Sequence, residues 1–295
     1  MNESLADAGG GRAAITLERR LAGPPESVWR ALTRAEDLAA WFPWRVEIDA
    51  RPGGALRFRF DGGGQPETTG TITGWEPPRL LAYTWGEDAL RWEIRPEGAG
   101  CVLGLRHVVA DRPGAASFAA GWNHCLDTLE AQLAPTGRQA APAPPWAVLH
   151  ERFVAEFGLA EGEARETPEG WEVRFERQLT RPVADAWAAL LGAAAPPAVG
   201  DHVPESFTLP SAPAGRVSAT DGATHLAYPA GCGTVSWRLR DGTGGARLVL
   251  VQTGPAADPG ARAAALAGWK ERIEAFSAGL AARAAGTGST VGAAG

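Results

Sequence analysis

The chain has 295 residues, 45% hydrophobic and 21% charged, which describes a globular protein long enough for two compact domains. A net charge of −6 without a clustered basic face excludes a nucleic-acid partner, because several phosphates would have to be neutralised. No apolar run approaches the roughly 20 residues of a membrane span, and three cysteines without CxxC spacing or an apolar leader predict reduced thiols in a cytoplasmic protein.

Residues 1–12, MNESLADAGGGR, are small, polar and glycine-rich, and read as a disordered tail. AAITLERRL alternates Ile15, Leu17, Arg19 and Leu21 against Thr16, Glu18 and Arg20, the period of a half-buried strand. Pro24-Pro25-Glu26 opens a helix, since proline suits a first turn whose N–H groups lack partners and Glu26 suits its positive end. A short helical piece, AEDLAAWFPW, follows, and then six strand-like runs separated by turns: WRVEIDARPGG, ALRFRFDGGG, TTGTITGW, RLLAYTW, ALRWEIRPEGAG and CVLGLRHVV. Their alternation puts Phe58, Phe60, Leu81, Tyr83, Trp85, Trp92, Ile94, Leu103, Leu105 and His107 on one face and a row of arginines and glutamates on the other. A helix from about Ser117 to Leu133 closes the segment, with Phe118, Trp122, Cys125, Leu126 and Leu129 as its apolar stripe.

The Pro/Ala-rich spacer APTGRQAAPAPP then leads into WAVLHERFVAEFGL, whose Trp146, Leu149, Phe153 and Phe157 follow a helical stripe that Gly158 ends. This helix is expected to pack on one of the two domains, with partner binding the alternative. From here the chain repeats itself. The two tyrosines, Tyr83 and Tyr228, each follow Leu-Ala, and the offset between them also carries Gly70 to Gly215, Trp92 to Trp237, Arg95 to Arg240 and Leu105 to Leu250. Neighbouring offsets carry Trp29 to Trp187 and Trp122 to Trp269. A period this long indicates two copies of a domain, not a solenoid. The organisation expected is a tail (1–12), a first domain (13–134), linker plus amphipathic helix (135–169), a second, shortened domain (170–283) and a second disordered tail (284–295). Between the first-helix tryptophan and the matched glycine the second copy is shorter, having lost the counterpart of LAAWFPW and part of the next strand.

LERRLAGPPESVWRALT, LAAWFPW, GTITGWEPPRLLAYTW, LGLRH and GWNHCLDTLEAQL together resemble the START-like (SRPBCC, Bet v 1-like) superfamily, in the branch named after the C-terminal domain of the activator of Hsp90 ATPase. The resemblance covers most of residues 13–133. It implies an α+β fold of two helix-grip domains, each a curved antiparallel sheet wrapped around a long C-terminal helix. It also implies a cavity that holds lipids, polyketides or other apolar molecules, with some branches cyclising polyketides.

The residues expected to line a pocket of roughly 300–1,000 Å3 in the first domain are Trp41, Trp44, Phe58, Phe60, Tyr83, Trp85, Trp92, His107, Phe118 and Trp122. Trp41 and Trp44 would cap its mouth. His107 and Tyr83 are the tentative catalytic pair, against the plainer reading of His107 as a core histidine satisfied by a backbone carbonyl. Its counterpart in the second copy is Gln252, which does no proton chemistry near neutral pH. No metal and no cofactor are expected: the five histidines show no HExxH or zinc spacing, and GxSxG is absent. Three readings stay open: a binding protein for an apolar small molecule with a structural second domain, a cyclase, aromatase or hydrolase using His107, and an Hsp90-activator-like co-chaperone. Self-association or domain–domain packing is left open as well.

Overall fold

A computed structural model describes residues 2–60, 67–134, 144–231, 233–256 and 259–286. The chain divides into two units, Met1–Trp146 and Ala147–Gly295.

In the first unit the elements run β1 (Asn2–Gly9), β2 (Arg12–Leu21), α1 (Pro25–Thr33), α2 (Ala35–Leu38), β3 (Trp44–Ile48), β4 (Ala55–Phe60), β5 (Thr68–Glu76), β6 (Leu80–Trp85), β7 (Asp88–Glu97), β8 (Gly100–Val109) and α3 (Ala115–Leu133). The described strands form one antiparallel sheet in the order β1-β2-β8-β7-β6-β5-β4-β3. Short turns favour the meander from β3 to β8, in which each strand pairs with the next, while β2 pairs with β8 and leaves β3 at the far edge. The long helix packs on β2 and buries Trp122, Cys125, Leu126 and Leu129, as its apolar stripe predicts.

The reading of 1–12 as a disordered tail is overturned. Asn2–Gly9 pairs with β2, Ser4 opposite Thr16 and Ala6 opposite Ala14. Its glycines are turn residues: Gly9, Gly10 and Gly11 all have positive φ, which a tight hairpin demands and side chains resist. The pairing also explains a charge among the inward residues of β2. Arg19, fully buried, is met by Glu3 of β1 (3.3 Å) and, on α3, by the Asn123 amide oxygen and Asp127 (3.8 Å). Buried guanidinium groups persist only when paired in this way.

In the second unit α4 (Trp146–Glu156) and β9 (Glu163–Thr167) precede β10 (Gly170–Gln178), α5 (Val183–Leu191), β11 (Ala219–Thr220), β12 (His225–Ala230), β13 (Gly233–Gly242), β14 (Gly245–Pro255) and α6 (Pro259–Gly286). The described sheet order is β11-β12-β13-β14-β10-β9. Shifted by the tyrosine offset, β6 and β7 fall on β12 and β13 end to end, and β8 falls on β14 within one residue. The upstream offset lays α1 on α5. The shortened stretch appears as lost strands: nothing described matches β3 or β4, and only the two-residue β11 stands where β5 would be.

Part of the expected linker is not linker. Glu163–Thr167 is an edge strand paired with β10, and Glu151 of α4 holds the buried Arg177 (2.6 Å). Arg177 is the repeat of Arg19, so each unit neutralises the same buried arginine with an acid from an element preceding the strand that carries it. Residues 135–143 of the linker, and those of the C-terminal tail beyond Gly286, lie outside the described residues.

Candidate functional site

Between the first sheet and its helices lies a hollow walled by side chains from α1, α2, β3, β4, β6, β7 and α3. The aromatic members of the wall are Trp41, Phe42, Phe58, Tyr83, Trp92 and Trp122, with Leu32, Val46, Leu56 and Leu81 between them. Their rings pack in mutual contact. Trp41 and Trp122 each stand edge-on to Trp92, at 6.1 and 5.3 Å between centroids, and Phe42 lies parallel to Trp122 at 5.6 Å with 6° between planes. These rings fill the hollow. Its volume is only ≈ 10 Å3, room for about one water, so the expected pocket of several hundred cubic ångströms is not present.

Polar atoms at the hollow are bound internally. The Trp41 indole donates to the Ala31 carbonyl (3.0 Å), and that of Trp92 to the Tyr83 hydroxyl (3.2 Å). Burial pushes the Tyr83 phenol up to about 12, and the bond from Trp92 offsets only part of that, so the group stays protonated at neutral pH.

Of the ten residues expected around a ligand, five line the hollow: Trp41, Phe58, Tyr83, Trp92 and Trp122. The other five stand outside its wall. Trp44 and Phe60 pair across β3 and β4 (rings 5.2 Å apart). Trp85 is half-buried and stacks on Phe58 (4.8 Å), and Phe118 is half-buried with its ring edge-on to His107 (5.0 Å).

His107 is wholly buried, and both of its ring nitrogens are engaged. An indole N–H can only donate, so the bond from Trp122 (3.0 Å) makes Nδ1 the acceptor. The proton then sits on Nε2 and points at the Asp88 carboxylate (3.1 Å). The partners are therefore two side chains instead of the backbone carbonyl expected. Neither nitrogen is left to act on a bound molecule. The second unit repeats half of this device: the Trp269 indole donates to the Gln252 amide oxygen at 2.5 Å.

Sequence reasoning missed two residues here. Phe42 sits between α2 and β3, where neither helical nor strand period applies. Asp88 was read as part of a turn, although β7 places Leu90 opposite His107 and alternation puts Asp88 on the same face.

Outside the hollow an open groove of ≈ 560 Å3 runs between α2 and the β3–β4 pair. Phe42 and Val46 line both spaces and form the partition between them. Its charged groups are largely paired: Arg59 with Glu47 (3.3 Å) and Glu67 (2.5 Å), Arg57 with Glu47 (3.9 Å).

In the second unit Phe207 occupies the interior. It is fully buried against Trp187 and Trp237, each 5.4 Å away. Its carbonyl accepts hydrogen bonds from the Trp237 indole (3.1 Å) and from the Tyr228 hydroxyl.

Cysteine chemistry is disfavoured at both described thiols: burial pushes Cys125 up to about 12 and raises Cys101. Among the described residues no three His, Cys, Asp or Glu side chains are grouped to hold a metal ion, and no helix is long and apolar enough to cross a membrane.

The two α+β units, each an antiparallel sheet with a long closing helix, define a pair of helix-grip domains. Residues 22–134 match the family of activator of Hsp90 ATPase homolog 1-like protein, so the first unit carries a domain of that branch. A conserved protein of unknown function from Enterococcus faecalis is similar at 18% identity (TM-score 0.46; 53% of this chain, 90% of that one). CalU16 from Micromonospora echinospora is similar at 23% identity (TM-score 0.41; 52% and 96%). The AHSA1-like protein from Aeromonas hydrophila follows at 21% (TM-score 0.37; 43% and 99%). No curated protein matches the chain.

Proposed function

We propose that the first unit binds a hydrophobic small molecule in the hollow between its sheet and α3, and that the second unit is structural. The observation that carries this reading is the character of the wall. Six aromatic rings converge there, and the indoles of Trp41, Trp92 and Trp122 all spend their N–H groups inside the protein. Such a surface offers a guest apolar contact and little to react with. A ligand burying about 250 Å2 of apolar surface would gain roughly 6 kcal/mol before the cost of immobilising it. Admission requires the rings to move, because the closed hollow holds about one water.

An enzymatic reading through His107 finds no support in the geometry, since Trp122 and Asp88 occupy both nitrogens. The co-chaperone reading rests on the family description alone.

Native mass spectrometry of the purified full chain tests the proposal, followed by solvent extraction of any co-purified molecule. A bound apolar molecule at one per chain is the expected result. A protein that carries nothing and is stabilised by no member of a panel of lipids, aromatics and polyketide-like compounds would remove the reading.

A further inference from the structure

We infer that the Phe42 ring is a built-in occupant of the hollow, and that the ligand is a flat aromatic molecule that takes its place after entering from the groove beside α2. The inference rests on the binding role proposed above and adds the gate, the route and the ligand class.

Three observations carry it. First, Phe42 lies parallel to Trp122 and is edged by Trp85 (5.7 Å, 69°) and Trp41 (5.8 Å, 48°). If the phenyl ring leaves, what remains is a slot one ring thick with an indole as its floor, a shape that suits a planar π-system better than an aliphatic chain. Second, Phe42 belongs to both spaces, the ≈ 10 Å3 hollow and the ≈ 560 Å3 groove. Swinging its side chain outward joins them. Third, Phe42 stands at a place built for such a swing. It lies between α2 and β3, outside the strand ladders, and its N–H bonds to the Leu38 carbonyl (2.9 Å). Pro43 follows and favours an extended backbone at Phe42, so the main chain can stay put while the side chain turns. The Phe42 ring itself is held by its contacts with Trp122, Trp85 and Trp41.

The test titrates the wild-type full chain and Phe42→Ala with 1-naphthol and with 1-octanol by calorimetry. The expected result is that 1-naphthol binds Phe42→Ala at least about tenfold more tightly than wild type, while 1-octanol gains less than about threefold. Leu129→Ala opens a hole under α3 away from the hollow wall and should show no such gain. If Phe42→Ala fails to fold, Phe42→Leu is expected to move 1-naphthol affinity in the same direction by a smaller factor. Equal affinity of wild type and variant for 1-naphthol, or an equal gain for 1-octanol, overturns the inference. A wild type that retains its own ligand beside an unimproved variant sinks the gate and leaves the binding role standing. Failure of both proteins to hold any apolar molecule sinks both.

Discussion

Replacing His107 by alanine and by glutamine separates a structural acceptor from a chemical group. His107→Ala strands the buried Trp122 indole N–H, which costs about 1–3 kcal/mol as an orphaned donor. Removing a fully buried ring adds about 2 kcal/mol or more for lost packing. Asp88 adds little, because it is 20% exposed and keeps the Ala110 N–H (3.3 Å) and the Arg12 guanidinium (3.9 Å). The alanine variant should therefore lose about 3–5 kcal/mol of first-unit stability. Glutamine can reproduce both bonds, its oxygen taking the Trp122 N–H and its amide donating to Asp88, so His107→Gln should lose less than about 1.5 kcal/mol. Gln252 already does the first of these jobs for Trp269. With two units present one global unfolding energy is ill-defined, so the assay is hydrogen exchange at the β7 and β8 amides in increasing urea. Equal losses for the two variants would refute the acceptor role. Ligand affinity falling within about tenfold of wild type in His107→Gln is expected from a binding site and would be joined by lost turnover only in an enzyme.

The N-terminal hairpin should matter more than its composition suggests. Glu3→Ala is expected to cost the first unit about 1–3 kcal/mol, less than a wholly broken buried pair because Asp127 and Asn123 still face Arg19; an unchanged urea dependence of exchange at the β2 and β8 amides would show that β1 is decoration. In the second unit, burial pushes the Glu151 carboxyl up, but its bonds to His150 and Arg177 outweigh that and hold it below the ordinary glutamate value, and Glu176 is lowered in the same sense beside Arg174 and Arg247. Carboxylates lowered by folding contribute stability that is complete above about pH 4.3 and is lost as pH falls through their depressed values. The second unit should accordingly weaken as pH falls below about 4, and Glu151→Gln should flatten that slope; an identical slope in the variant would contradict the assignment. Cys125, with its thiol near 12, should resist iodoacetamide at pH 8 in the folded chain, and labelling within minutes would show that α3 opens readily.

Alternation told which side of each strand faces inward, and it did so correctly for Phe58, Tyr83, Trp92 and Leu105, all buried. It does not tell how far along the sheet α3 reaches. Trp44, Phe60 and Trp85 share the inward face with Phe58 yet stand beyond the hollow, because position along a strand depends on where the helix crosses it. Period also fails for segments that have none, which is why Phe42 was passed over while Trp41 beside it was named. The glycines of 9–11 read as slack because a hairpin turn and a loose end share a composition, and only the partner strand distinguishes them. Volume was the least legible quantity. A wall of large rings is the same list of residues whether it encloses a guest or closes upon itself.

The two units share two devices at matched positions. Both retain an indole bond from the closing helix to the last strand, Trp122 to His107 and Trp269 to Gln252, and a buried arginine on the first matched strand, Arg19 and Arg177. These survive because each leaves a buried polar group stranded if one partner is lost. What differs is the stretch between the first helix and β5. In the first unit that stretch carries α2, β3 and β4 and sets Phe42 between an inner hollow and an outer groove. In the second, residues 192–218 carry no paired strand of that kind, only a 3-10 turn at Glu205–Phe207 that sets Phe207 in the interior. Backbone hydrogen bonds hold neither ring, so what separates the two is the route: Phe42 borders a groove, and a ring that leaves through it trades its contacts for those of an incoming aromatic. The capacity to bind should therefore follow the groove, and Phe207→Ala should vacate a ring's space in the second unit without opening a route, since nothing described there matches the strands that wall the groove. Uptake of 1-naphthol by the second unit of Phe207→Ala, traced by exchange protection of β13 and β14, would show that a vacated ring suffices and that the groove is dispensable.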